Sequence, residues 1–276
     1  MRLPCYLRPK DALRFMAARA APARAGRPSD PVTTARFALY GKPLPRMTDA
    51  VRVGELLRNA LMGCARRLFG GAIPPSLSGH DLPDGNRHGH AFFLAEGNAQ
   101  RHIDHLVVHA PAGLDAQAQA AIAELAVIST REGVQWRVLL EGLGGPMDFA
   151  EYSPLLRKAS CWESVTPYLH PWYRKPGFEV PEQIARECRA RGIQPPRLVE
   201  PLPDAKPRAL DFHRFRNKRG LEQPDRQGRM IRLEFAEPIT GPLALGFGCH
   251  FGLGSFRAVI PQAAPFQTAA VLREPP

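Results

Sequence analysis

The chain has 276 residues, 44% of them hydrophobic and 23% charged, with a formal net charge of +11. That balance excludes a disordered chain, and no window carries the roughly 18 uninterrupted apolar residues of a membrane span, so two compact cytoplasmic domains are expected. The positive excess attracts polyanions and points to nucleic acid ahead of a membrane surface, since the sequence carries no basic amphipathic helix and no lipidation motif.

In chain order, residues 1–33 form a basic tail or linker rich in Pro, Ala and Arg, expected to be disordered, and "MRLPCYLRPKD" lacks the apolar run of a secretory signal. A strand is expected at "TTARFALYG". Thr48 or Asp49 then caps a helix whose apolar positions Val53, Leu57, Leu61, Cys64 and Leu68 recur every three to four residues, with Gly70 and Gly71 closing it. "RHGHAFFLAEGNAQRHIDHLVVHAP" predicts two strands around a Gly-Asn turn, "LDAQAQAAIAELAVIST" a helix capped by Asp115, and "VQWRVLLEG" a strand. Strand, helix, strand, strand, helix, strand is the ferredoxin-like order, an α+β sheet with two helices on one face and the other face free to bind. A second, less regular pass follows: strand "CWESVTPYL", helix "VPEQIARECRARG", and strands "MIRLEFAEP" and "GPLALGFG". The expected organisation is a ferredoxin-like domain over 34–145, a second over 160–262 ending in a glycine-rich loop, and a tail over 263–276.

Three concentrations of residues carry possible chemistry. "LALGFGCHFGLGSF" sets Gly246, Gly248, Gly252 and Gly254 around Cys249 and His250. Its spacing does not fit a dinucleotide fingerprint, which leaves either a glycine-lined packing turn or a loop of bare amides that cradles a phosphate backbone with His250 and Arg257. "DFHRFRNKRG" gathers Arg214, Arg216, Lys218 and Arg219 among Phe212, His213 and Phe215, a mixture suited to phosphates and unpaired bases, or simply a solvated charged hairpin. In "SGHDLPDGNRHGHAFF", His88 and His90 lie two apart, and the right hairpin register would bring His105 and His109 beside them. That cluster could ligate zinc with Asp104, lie inert on the surface, or supply a general base and a general acid. The five cysteines are scattered without a C-x-x-C pair, which argues for reduced thiols and against a disulfide framework or a thiolate zinc site.

The blocks "RFALYGKPLP", "SGHDLPDGNRHGHAFFL", "IDHLVVHAP", "SVTPYLHPWYRK", "DFHRFRNKRGL" and "GPLALGFGCHFGLGSF" resemble the second half of the fused CRISPR-associated protein of type I-U (I-G) systems, a RAMP-superfamily chain that joins a backbone-binding module to a repeat-cleaving endoribonuclease. The similarity covers roughly Thr33 to Ile260. It implies tandem ferredoxin-like folds, a glycine-rich loop at Gly246 to Gly254 that meets RNA, and metal-independent cleavage of precursor CRISPR RNA to a 2′,3′-cyclic phosphate and a 5′-hydroxyl, with no cofactor. The backbone-binding half that would precede Thr33 is not in this sequence, which leaves a fragment, a separately encoded processing module or a remnant as readings. A separate backbone-binding half and other effector subunits are the partners the resemblance implies. The helix "TDAVRVGELLRNALMG" holds no histidine, which moves the expected acid/base pair to His88 and His90, with His80 and His105 as substitutes and Arg87 to stabilise the phosphorane. Arg214, Arg216, Lys218 and Arg219 would join the glycine loop and Arg257 in one cradle for RNA. A non-catalytic subunit that holds the processed guide is the other reading.

Overall fold

The computed structural model describes residues 31–81, 88–215 and 223–260, and these described residues belong to one compact unit. The expected tails, up to Asp30 and from 263 on, lie outside the described residues, as do Arg87, Arg216, Lys218 and Arg219. Among the described residues no helix is long and apolar enough to cross a membrane.

The first half runs β1 (Thr34–Tyr40), α1 (Ala50–Leu68), a single-turn α2 (Pro75–Ser78), β2 (Phe92–Gly97), β3 (Ile103–His109), α3 (Ala116–Ala123), β4 (Val127–Ser129) and β5 (Gln135–Gly144). Its sheet has the order β2-β3-β1-β5-β4, every neighbour antiparallel. The second half runs β6 (Lys158–Ser164), α4 (Val180–Ala190), β7 (Leu198–Pro201), β8 (Ile231–Thr240), β9 (Leu243–Ala244) and β10 (Ser255–Ala258), in the order β7-β8-β6-β10-β9. The two orders are the same arrangement twice. In each, the first strand lies between the third and the last, and a short extra strand just before the last closes the edge. The fold is a tandem ferredoxin-like α+β architecture. Among the described residues the second copy has no second α-helix: β8 runs almost directly into β9, and the glycine-rich segment joins β9 to β10, where the first copy has the β4–β5 connection.

Local sequence explains most elements. On α1 the apolar stripe Val53, Leu57, Leu61 and Cys64 is buried against Phe37, Leu39, Phe93, Leu106 and Val108, the inward positions of the alternating strands. Leu68 is 44% exposed, and the neighbouring Phe69 packs on the core in its place. Asp49 holds the N-cap position without a side-chain capping bond, because a 3-10 turn at Met47–Asp49 feeds the helix. Asp115 does cap α3, accepting the Ala118 N–H at 2.8 Å. That helix stops at Ala123, short of the predicted "AVIST". Val127 and Ile128 are β-branched and pair with β5 instead. The predicted strand "GPLALGFG" shrinks to Leu243–Ala244 before the glycines turn the chain.

The sheet face expected to be free is closed at its β2–β3 end, where Phe92, Leu94 and Val107 pack against Phe149, Leu155, Leu156, Ala244 and Cys249. Tyr40, Leu139 and Leu143 stay exposed toward the β1–β5 edge.

The glycine segment docks the halves together. Phe251 presents its carbonyl to α1 at Gly54, where an added Cβ would lie 2.6 Å from the Phe251 oxygen and 2.7 Å from the Phe93 oxygen. Val51 of α1 packs beside this contact with Leu169, Leu253, Phe247 and Phe251. The His213 N–H, donated to the Thr48 carbonyl at 2.6 Å, ties the long β7–β8 excursion to the start of α1.

In an isolated helix, Gly54→Ala would gain about 1 kcal/mol; here it should instead lower unfolding stability by about 2 kcal/mol in urea titration, since two carbonyls occupy the space of the methyl. A gain in stability would show that the loop does not seat there. A second expectation concerns His109, which shares a 2.9 Å hydrogen bond with Thr34 Oγ1 and whose pKa burial pushes down to about 4. The unfolded chain then binds the proton more tightly, so stability is full above about pH 6.5 and falls as pH drops toward 4. His109→Gln should lose roughly 2 kcal/mol less than wild type over that window; parallel stability–pH curves would contradict it.

Candidate active site

The first surprise of the tertiary structure is a meeting of residues 162 positions apart in sequence. His88 and His90 sit just before β2, and His250 stands on a 3-10 turn (Cys249–Phe251) flanked by Gly248 and Gly252, both in the left-handed region. His90 stacks on His250 with centroids 3.8 Å apart and planes 6° from parallel. His88 lies 5.5 Å from His250 at 5°, and the Phe92 ring lies 4.0 Å from it.

The hydrogen bonds order the protons. The Ala91 carbonyl can only accept, so His250 Nδ1, 3.1 Å away, carries a proton and donates it. His250 Nε2 is left as an acceptor. It lies 3.3 Å from His88 Nδ1, which therefore donates, and the basic nitrogen of His88 is Nε2. Burial, and then the adjacent His90, push the His250 pKa down to about 2, so this ring stays neutral and works as an orienting group. His90 is also lowered, by burial first and then by Arg58 and His80. Its Nδ1 is buried without a hydrogen-bond partner, and its ring lies over Gly79, where a Cβ would come within 2.8 Å. His80 is exposed beyond Gly79, and Arg58 of α1 reaches the Ser78 carbonyl at 3.0 Å on the same side.

Beneath His250 a buried ion pair anchors the glycine segment. Glu187 and Arg191, one turn apart on α4 and its C-cap, form an ion pair with side chains 5% and 8% exposed. Both oxygens of Glu187 accept the Gly246 N–H, at 3.0 and 2.9 Å. Arg191 donates to the Ala244 carbonyl and, at 3.3 Å, to Cys249 Sγ, and its guanidinium lies 5.4 Å from the Phe92 ring centroid. Burial pushes the Glu187 carboxyl up, with Arg191 opposing, and burial pushes the Cys249 thiol up to about 11.

The glycines do not form the expected cradle of bare amides. Gly246, Gly252 and Gly254 are buried and Gly248 half-buried, each with positive φ. An added Cβ would lie 2.5 Å from the Leu169 oxygen at Gly246 and 1.8 Å from the Leu245 oxygen at Gly254. What comes too close for side chains is the protein's own backbone. The Gly246 amide is taken by Glu187, and those of Gly252 and Gly254 by the Cys249 and Pro167 carbonyls. His250, expected to hold RNA beside the glycines, joins the other imidazoles instead.

His105 is not brought to this cluster. β2–β3 pairing sets it opposite Glu96 and sets His109 opposite Phe92, while His88 and His90 lie before the strand begins. His105 sits 2.9 Å from Asp104 and 3.6 Å from Glu141, in a network where Arg36 binds Glu96 at 2.8 Å and also pairs with Glu141. Arg214 is engaged by the carbonyls of Arg226 and Gln227 and lies over Phe215. Arg257 is 3.4 Å from Glu163 and lines a cavity of about 530 Å³ between the halves. That cavity also holds Arg101, Lys206, Glu96 and Asp204, so its charges balance and it does not favour an anion. Sequence reasoning missed Arg58, Arg191 and Cys249. Only the flanking glycines of "GCHFG" mark Cys249 as held in place, and nothing local marks the two arginines.

No protein-family model matches the chain, and no curated protein matches it. Among solved structures, a Cas6 product complex aligns over 83% of this chain and 100% of its own, with a TM-score of 0.43 and 11% identity; a likeness so slight does not bear on the site.

Arg191→Ala would leave Glu187 buried without its partner and should cost about 3 kcal/mol of stability. The Glu187→Gln/Arg191→Ala double variant should recover part of that loss. Additive losses in chemical denaturation would show the pair to be uncoupled.

Proposed function

We propose that this chain binds the repeat of precursor CRISPR RNA and cleaves one phosphodiester, acting as an endoribonuclease with His88 as general base. The observation that carries this reading is the Ala91–His250–His88 hydrogen-bond chain. It joins two of the sequence blocks that carry the resemblance to repeat endoribonucleases, "SGHDLPDGNRHGHAFFL" with three histidines and "GPLALGFGCHFGLGSF" with His250.

In this mechanism His88 Nε2 removes the proton from a ribose 2′-hydroxyl, whose oxygen attacks the adjacent phosphorus. The P–O5′ bond breaks, leaving a 2′,3′-cyclic phosphate, and the departing 5′-oxygen takes a proton to become a hydroxyl. His250 fixes the tautomer and direction of His88, as the orienting member of a catalytic triad does. His90 is a poor proton donor at neutral pH because burial holds it neutral. The exposed His80 is the better placed acid, and among the described residues Arg58 is a cation beside the cluster. The positive excess holds the RNA through its phosphates, so binding weakens steeply with salt.

A second reading rests on the same burial: His90 and His250 as a packing stack in a non-catalytic subunit that holds the processed guide. Incubation of the chain with a cognate repeat in EDTA separates the two. The nuclease should yield a cyclic-phosphate end, and His88→Ala should slow cutting by roughly 10² to 10⁴ with affinity unchanged. A 2′-deoxy residue at the cleavage position should bind and remain intact. Tight binding with an uncut all-ribose repeat would establish the guide-holding role instead.

A further inference from the structure

Two imidazoles of the nuclease reading form a second kind of donor set with Cys249, which that reading does not use. Cys249 Sγ, a nitrogen of His250 and a ring nitrogen of His88 all lie within 4.8 Å of one another. His88 Nδ1 and His250 Nε2 are 3.3 Å apart. That is a hydrogen-bond length, and it is also the separation of two nitrogens on one tetrahedral zinc with bonds of about 2.0 to 2.1 Å, which is roughly 3.3 Å. Cys249 must approach by about an ångström, within reach of a χ1 adjustment.

Two surroundings favour occupancy. The His250 Nδ1–H donated to the Ala91 carbonyl is the outer contact that orients a metal-ligating imidazole, and it turns the Nε2 lone pair toward His88. Arg191, 3.3 Å from Cys249 Sγ, supplies an N–H to a thiolate, and its own charge is matched by Glu187. Two imidazoles and one thiolate make a set suited to a borderline-soft divalent ion, with the fourth position left to water.

We propose that His88, Cys249 and His250 bind one zinc ion. The zinc displaces the Cys249 thiol proton, which leaves to solvent, and the His88 proton shifts from Nδ1 to Nε2, so one proton is released per ion bound. The nitrogen that acts as base in the nuclease reading is then protonated, and zinc occupancy stops cleavage. That consequence rests on the nuclease reading, whereas binding itself does not.

The test titrates the full chain with Co²⁺ and then Zn²⁺, without RNA. One cobalt should bind per chain with thiolate-to-cobalt charge-transfer absorption, and zinc should displace it. Cys249→Ser should lose the band, and His88→Ala, at a half-buried position that a folded chain tolerates, should weaken affinity more than about tenfold. No band in the wild type, or a band that persists in Cys249→Ser, would overturn the site. Repeat cleavage measured separately in EDTA keeps the two readings apart: a chain that binds cobalt yet never cuts retains the site and loses the nuclease, and one that cuts without the band loses the site.

Discussion

The architecture depends on a carbonyl pressed against a helix that offers no side chain. Phe251 meets α1 at Gly54, and this contact is possible because Gly248 and Gly252 let the chain reverse direction on either side of a single 3-10 turn. Everything the site does follows from that seat. With the turn docked there, Cys249 points into the shared apolar layer, Leu253 packs against Val51, and His250 reaches across to the residues before β2. Two ferredoxin-like sheets with separate cores thereby share a third apolar layer, and the histidines stand at its rim.

Electrostatics hold the same turn from the other side. A buried carboxylate and guanidinium are costly unless their donors and acceptors are met. Glu187 accepts from the Gly246 amide and Arg191 donates to the Ala244 carbonyl and the Cys249 sulfur, while Arg191 Nε stays buried without a partner. The pair specifies the conformation of the glycine segment more than it adds stability. It also places a fixed positive charge under a neutral imidazole stack, and the stack in turn sets the tautomer of His88 through a chain that begins at a backbone carbonyl.

Much of the fold was legible in the residues. Short-range signals marked β1, the three-to-four spacing marked α1, a Gly-Asn turn marked the β2–β3 hairpin, and Asp115 announced the start of α3. The reading faltered where local preference and tertiary pairing compete. "AVIST" continues a helical pattern on paper, yet its β-branched residues gain more by pairing along β5. The histidines at 88 and 90 were visible as a pair, but their partner was sought in the neighbouring strand, at His105, because a hairpin is the nearest route to proximity. The partner came from the far end of the chain.

Composition, period and turn residues by themselves determined an α+β chain with two ferredoxin-like passes, a glycine-rich reversal near its end and a histidine pair before β2, since each of these is written in nearest neighbours along the chain. The tertiary structure decided what the glycines admit and what the histidines touch. A glycine's missing Cβ permits close approach by RNA or by the protein itself, and spacing is the same in both cases; here Leu169 and Leu245 close on Gly246 and Gly254 from within the second half, and Phe93 meets Gly252 from the first. Likewise a free imidazole and one tied to His250 have identical sequence, and the difference lies in a contact across 162 residues that no local pattern encodes.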